Sequence, residues 1–338
     1  NAAGITLADG SNGGLASNYT LTGGTHEVNI TKAPITIGLA RQYDGTTNAS
    51  SNTTDSNTTE SYSGLVGSET LTLTGQGSVA SKNVSGNSQS VTIGTIALGD
   101  QSGATTSSGG LASNYNLTSA ALTINQKVLN SNSSRIYNAT TTAAASDITL
   151  TNQVSGETLQ ISNSAATSSK NVGSYSISNL SGVTISDQAG ANASSGALAT
   201  NYTLTGGTHS FAINPKAVNI AGTRQYNGTT NIAASDISGI TGTVNTETLT
   251  MSSGLGSTSS ANVGTYNLTD TSAGTLALGN GSNGGLASNY TLTGGTQDYT
   301  ITQRVLNSSG SKLYDANTNA LAGAITLSNL VSGEALNH

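Results

Sequence analysis

Short runs in which apolar and polar residues alternate recur along the whole chain. "YTLTGGTHEVNIT" at 19–31, "ETLTLTG" at 69–75, "SVTIGTIAL" at 90–98 and "YTLTGGTQDYTIT" at 290–302 follow a period of two, as a strand with one buried and one wet face does. Gly, Asn, Asp and Ser punctuate the runs and mark turns. Helical spacing is confined to "NIAASDISG" at 231–239, with room for one or two turns. The alternation predicts an all-β chain of antiparallel sheets packed face to face. About seven short strands in each ~90 residues suit a small sandwich, Ig-like or β-grasp-like.

The runs belong to a longer period. "RQYDGTTN" at 41–48 returns as "RIYNATTT" at 135–142, "RQYNGTTN" at 224–231 and "KLYDANTN" at 312–319. The tyrosines of this motif, Tyr43, Tyr137, Tyr226 and Tyr314, are 94, 89 and 88 residues apart. Other landmarks keep the same order: Asn-Tyr at Tyr19, Tyr115, Tyr202 and Tyr290, a "G-E-T-L"-like step at Glu69, Glu157, Glu247 and Glu334, and "SKNV" at 81–84 and 169–172, which becomes "SANV" at 260–263. Such periodicity marks a tandem array. Alternate copies are more alike, giving an order of A and B types: the end of a B repeat (1–32), A (33–125), B (126–214), A (215–302) and the start of a B repeat (303–338). A continuous β-solenoid is the rival architecture, but its coils repeat near 20 residues and no such short period is present. Consecutive repeats join almost without spacer, and Pro34 and Pro215 both fall at joints, where a missing ladder N–H does least harm. Asn1 is no initiator, so the chain reads as a piece of a longer one.

Composition narrows the function. Only 8% of residues are charged and aromatics are twelve Tyr and one Phe, so small aliphatic side chains must fill the cores. There is no cysteine and the net charge of −6 is dispersed, which excludes disulfides and disfavours nucleic acid as a partner. No apolar run is long enough for a membrane-spanning helix.

The ten basic residues fall on three recurring places: the joints, the position two before the motif tyrosine (Arg41, Arg135, Arg224, Lys312), and the start of "KNV" (Lys82, Lys170). Position i−2 shares a strand face with the tyrosine, so a cation–ring contact is expected, with the recurring glutamate (Glu69, Glu157, Glu247) as ion-pair partner. Asp44 and its Asn counterparts suit a turn, with Gly45 supplying φ > 0; Ala139 and Ala316 at that place suggest the glycine conformation is not obligatory in B repeats. Asp9, Asp100 and Asp187 precede the Asn-Tyr landmark and are weak calcium candidates, because one acid per loop, replaced by Asn280 in the last copy, is a poor cage. His26 and His209 follow a "TGGT" turn and give way to Gln297. Every polar landmark is repeated and none has a distinct role, which argues against an enzyme or a cofactor.

Together, basic-x-Tyr-Asp-Gly-Thr-Thr, "G-E-T-L", "K-N-V-G" and "N-Y-T-L" resemble the YDG/MBG-type repeats of large bacterial surface adhesins, the haemagglutinin-like secreted proteins. The resemblance covers essentially the whole chain and implies an extracellular, β-rich stalk serving adhesion or biofilm. The expected function is therefore the shaft of a surface adhesin or extracellular fibre, its partners being neighbouring repeats. Alternatives are a self-assembling filament or sheath and a multivalent array of weak glycan sites.

Overall fold

The computed structural model describes residues 4–51, 58–268 and 273–337. They fall into two compact units: Asn1–Lys127 with Ala191–Ser195 and Thr200–Tyr202, and Val128–Gly190 with Gly196–Ala199 and Thr203–His338. Three similar all-β repeats follow one another along the chain, and neither a closed barrel nor a solenoid is formed among the described residues.

Each repeat is built on one four-stranded sheet. In the first, Ala33–Gln42 (β1), Thr59–Ser63 (β2), Gln89–Ser90 (β3) and Tyr115–Asn125 (β4) lie in the order β2-β1-β4-β3. The second repeats this with Asn130–Ile136 (β5), Leu150–Thr151 (β6), Gly173–Ser176 (β7) and His209–Asn214 (β8), and the third with Asn219–Gln225 (β9), Ile237–Thr241 (β10), Gly264–Asn267 (β11) and Gln297–Thr302 (β12). The outer pairings are antiparallel, as alternation suggested, but the central pair is parallel in all three: β1 with β4, β5 with β8, β9 with β12. Alternation reports which face is buried and is silent on strand direction. The parallel pair unites the first and last strands of a repeat, so the chain enters at one end of the sheet and leaves at the other.

Short antiparallel ladders form a second layer. In the first repeat Asn48–Ser50 pairs with Gln76–Ser78, and Thr72–Thr74 with Ala97–Gly99. The third repeat has the same two ladders at Asn231–Ala233 with Leu255–Ser257 and Leu249–Ser253 with Ala277–Asn280. Ile35, Ile37, Leu39 and Arg41 alternate inward along β1. In the third repeat Ile232 of a ladder packs with Tyr299 and Ile301 of β12 and with Leu268, joining the layers. Each buried Leu or Ile contributes ~1.5–3 kcal/mol, and a core this small leaves a ~90-residue repeat only modestly stable alone. In a tandem array the contacts between neighbours then supply much of the stability.

Three local expectations change. The strand at 19–31 does not form, and Val28 and Ile30 stand exposed. In the complete repeats this segment lies between the first and third strands of its sheet, and residues 1–32 include neither. The helix at 231–239 is a single 3-10 turn, Ala234–Asp236, because its apolar residues are drawn into flanking strands. The long run at 290–302 is broken by a turn at Gly294, whose φ is +80°, into Tyr290–Thr291 and β12.

Candidate functional site: a tyrosine–glutamate clamp at the repeat joint

The motif that opens each repeat folds back on itself. In the first copy Asp44 Oδ1 accepts the Thr46 N–H at 2.8 Å, the Thr46 hydroxyl at 2.9 Å and Arg41 Nη1 at 2.5 Å. Arg41 also donates from Nη2 to the Thr46 carbonyl at 2.7 Å and from Nε to Asn48 O at 3.3 Å. Asn138 and Asn227 receive the same three donors in their copies, from Thr140 with Arg135 and from Thr229 with Arg224. Only the side-chain oxygen is used, which is why Asp and Asn interchange. Lys312 repeats the arrangement with Asp315 and Asn317. The basic residue two before the tyrosine is therefore the brace of its own turn, where the expected partner was the recurring glutamate. Turn carbonyls lie within reach of the guanidinium fork and need donors, and local closure involves little loss of chain entropy.

The braced turn holds one residue in the left-handed region in every copy. Gly45 and Gly228 have φ of +82° and +77°, and Ala139 and Ala316 follow with +62° and +61°. The glycine conformation is obligatory after all, and the B repeats adopt it with alanine. Alanine there carries ~1–2 kcal/mol of strain, while glycine adds unfolded-state entropy. Ala139→Gly should raise stability by about 0.5–1 kcal/mol, seen as a higher denaturant midpoint at unchanged slope; a lower midpoint would refute the strain.

The turn fixes the motif tyrosine at the end of the parallel pair. The N–H of Tyr137 donates to Asn214 O at 2.8 Å, and Tyr43 and Tyr226 do the same to Asn125 O and Thr302 O. The Tyr137 side chain, 1% exposed, leaves its own repeat and donates its hydroxyl to Glu247 Oε1 at 2.8 Å. Glu247 is presented by a turn in which its N–H bonds Val244 O at 3.0 Å. Its other oxygen accepts the Tyr290 hydroxyl at 2.5 Å, and that hydroxyl accepts the Val244 N–H at 3.0 Å. The two rings meet edge to face, centroids 5.4 Å apart. Lys170 Nζ lies 3.8 Å from Glu247, so the "KNV" lysine is its cation. Beside this, Asn289, fully buried, accepts the Val172 N–H at 2.9 Å and donates to Asn171 Oδ1 at 3.0 Å. One carboxylate thus gathers two hydroxyls from successive repeats, and one amide ties their loops.

Parts of the same geometry recur. Tyr115 donates to Glu69 within the first repeat and accepts the Val66 N–H at 3.1 Å. Within the first compact unit Tyr43 and Tyr202 repeat the edge-to-face contact at 5.4 Å, Lys82 lies over the Tyr43 ring at 5.9 Å, and Asn201 bonds Asn83 and the Val84 N–H at 2.8 and 2.9 Å. The cation facing a motif ring is the "KNV" lysine; Arg135 faces Phe211 instead, at 5.8 Å. Tyr226 donates to Glu334. Glu157 closes its turn on Val154 O at 3.0 Å, and Tyr19 and Tyr314, in the partial repeats, are exposed.

The clamp shifts its tyrosines. Burial first, then the bond to Glu247, pushes the Tyr290 hydroxyl up to about 12 and moves Tyr137 well above the ordinary value in the same direction. A raised folded-state value means that the folded chain holds its protons longer than the unfolded one. The stability is whole below the unfolded value of 10.0 and is lost as pH rises through about 12. The joint is expected to open in that alkaline window, with tyrosinate absorbance of Tyr137 and Tyr290 rising together with unfolding; their ionisation with no loss of structure would contradict it.

The remaining candidates have structural work. Asp9, Asp100 and Asp187 accept the N–H of Ala16, Ala112 and Ala199 at 2.7, 2.8 and 2.7 Å, and Asn280 accepts that of Ala287 at 2.8 Å. They brace the loop before Asn-Tyr, a task asparagine performs equally. Among the described residues no group of three or more His, Asp or Glu could hold a metal ion. The His/Gln exchange has a similar reason: Nε2 of His26, His209 and Gln297 meets the carbonyl five residues back, Leu21, Leu204 and Leu292, at 2.7, 2.9 and 2.6 Å.

Fold and joint together define an all-β tandem-repeat protein whose repeats are stitched by side chains of their neighbours. The YDG domain family model matches residues 27–124, 118–210 and 212–300, and the chain belongs to that family. No curated protein and no solved structure matches the chain.

Proposed function

We propose that this chain is a structural stalk, part of the shaft of a secreted bacterial surface adhesin or extracellular fibre that projects or links other parts in cell adhesion and biofilm matrix. The observation that carries the proposal is the joint. Pro215 alone separates β8 from the Lys216–Ala217 ladder of the next repeat, and the Tyr137–Glu247–Tyr290 clamp closes beside it. This joint is short and braced, unlike a flexible linker, and within each sheet the chain enters at one end and leaves at the other. The buried Tyr137 and Tyr290 at this joint are unavailable for stacking on sugars, which speaks against the glycan array.

The test is surface labelling of the intact source bacterium with antibodies to this chain, and immunogold distance from the envelope. Labelled intact cells, with a distal tag drawn inward when one A–B pair is deleted, would support the shaft. Label confined to permeabilised cells, or a distance indifferent to repeat number, would overturn it.

A further inference from the structure

The strand order of each repeat has a mechanical consequence. A pull along the chain enters a repeat at the start of its first strand and leaves from the end of its last. These strands are neighbours and parallel, so the two points lie at opposite ends of one ladder. Tension then acts along the strands and loads their slanted, evenly spaced hydrogen bonds together. Were the pair antiparallel, both points would sit at the same end and the bonds would break one after another.

The details favour a ladder that holds. In the first repeat it runs from Ala33 opposite Tyr115 to Gln42 opposite Asn125, with one irregularity between Ile35 and Thr36. In the second it runs from Ser131 opposite His209 to Ile136 opposite Asn214, and in the third from Ile220 opposite Gln297 to Gln225 opposite Thr302. The last rung in each is the N–H of the motif tyrosine. Core residues of the two strands, Leu39 and Leu122 or Ile220 and Ile301, are nearly water-free, which shields the bonds from competing water. At the joint within the second unit, the residue closing the ladder also holds the next repeat, through Tyr137 and Glu247.

We infer that each repeat is a force-bearing element, in which the parallel pair of terminal strands is a shear clamp that resists tension applied along the chain. The inference rests on the stalk reading for its purpose, but its test is separate: labelling of cells can fail while the clamp holds, and the reverse.

The test is single-molecule force spectroscopy of the full chain. The chain has no cysteine, so introduced cysteines are unique handles. Held by its termini, the chain should yield discrete ruptures, three of them each releasing a repeat of about 90 residues, or roughly 300 Å of contour at ~3.5 Å per residue. For the third repeat, handles at Ala217→Cys and Thr302→Cys pull along β9 and β12. Handles at Gln225→Cys and Thr302→Cys, which face each other at one end of the ladder, peel it. All three positions are exposed, so folding should survive. The first geometry is expected to rupture at several-fold higher force than the second. Equal forces in the two geometries, or graded extension of the end-held chain without discrete ruptures, would overturn the inference.

Discussion

Glu247→Ala is expected to uncouple the second and third repeats, lowering stability by about 3 kcal/mol. The carboxylate is nearly buried and serves two hydroxyl donors, Tyr137 and Tyr290, which alanine would leave facing each other without an acceptor. An unsatisfied buried polar group costs ~1–3 kcal/mol. Tyr290 keeps the Val244 N–H as a donor to its oxygen, so what its hydroxyl loses is the acceptor. Lys170 adds little, because its side chain is 45% exposed and stands 3.8 Å away, and exposed pairs are worth at most about 1 kcal/mol. Glu247→Gln preserves the size and one acceptor oxygen and should show about half the loss. Since stability in an array is shared between repeats and interfaces, one denaturant transition should split, the two repeats melting apart. Hydrogen exchange at the Val172 amide, which bonds Asn289 of the next repeat, reads the joint directly. A loss below about 0.5 kcal/mol, the range of ordinary surface substitutions, would mean the clamp is ornamental.

The repeat architecture was legible because it leaves a period. Each landmark occurs once per copy and in fixed order, so Tyr43 and Tyr137 identify each other as equivalents before any coordinates. The all-β class followed from alternation, as at Ile35, Ile37 and Leu39. The direction of pairing did not, since β1 and β4 alternate in the same way whether parallel or antiparallel. Partner choice was the harder loss. Glu247 and Tyr137 are 110 positions apart and belong to different copies, and a period cannot say whether a contact is made within one copy or with the next. Charge suggested Arg135 for the glutamate, yet the guanidinium finds its donors' work in its own turn. One signal was available: Lys170 stands where the third copy has Ala261, so the lysine had to be dispensable to the repeat core. Asn201 and Asn289 stand beside far more conspicuous tyrosines, yet both are fully buried and tie loops of successive copies. An asparagine before tyrosine in every copy was the clue, and a short polar residue kept where any loop residue would serve points to its amide.

Tyr137→Ala should have the larger effect, about 4 kcal/mol, as expected for truncating a buried aromatic. The ring fills space at the joint, meets Tyr290 edge to face, an arrangement worth ~0.5–1.5 kcal/mol in itself, and carries the hydroxyl to Glu247. The backbone N–H to Asn214 survives, so β5 and β8 should keep their pairing and the loss should fall on the joint. Tyr137→Phe separates ring from hydroxyl: it keeps the packing and should cost about 1 kcal/mol, since Glu247 retains Tyr290 and Lys170. Combining Tyr137→Phe with Glu247→Ala tests the bond itself, because the pair should be less damaging than the sum by about 1 kcal/mol. Strict additivity would place the two residues in the same joint without a working contact between them. If Phe costs as much as Ala, the joint is held by the hydroxyl alone and the ring is filler. If neither costs anything, the repeats are joined only by the chain, and the stalk would have to owe any stiffness to something other than its tyrosines.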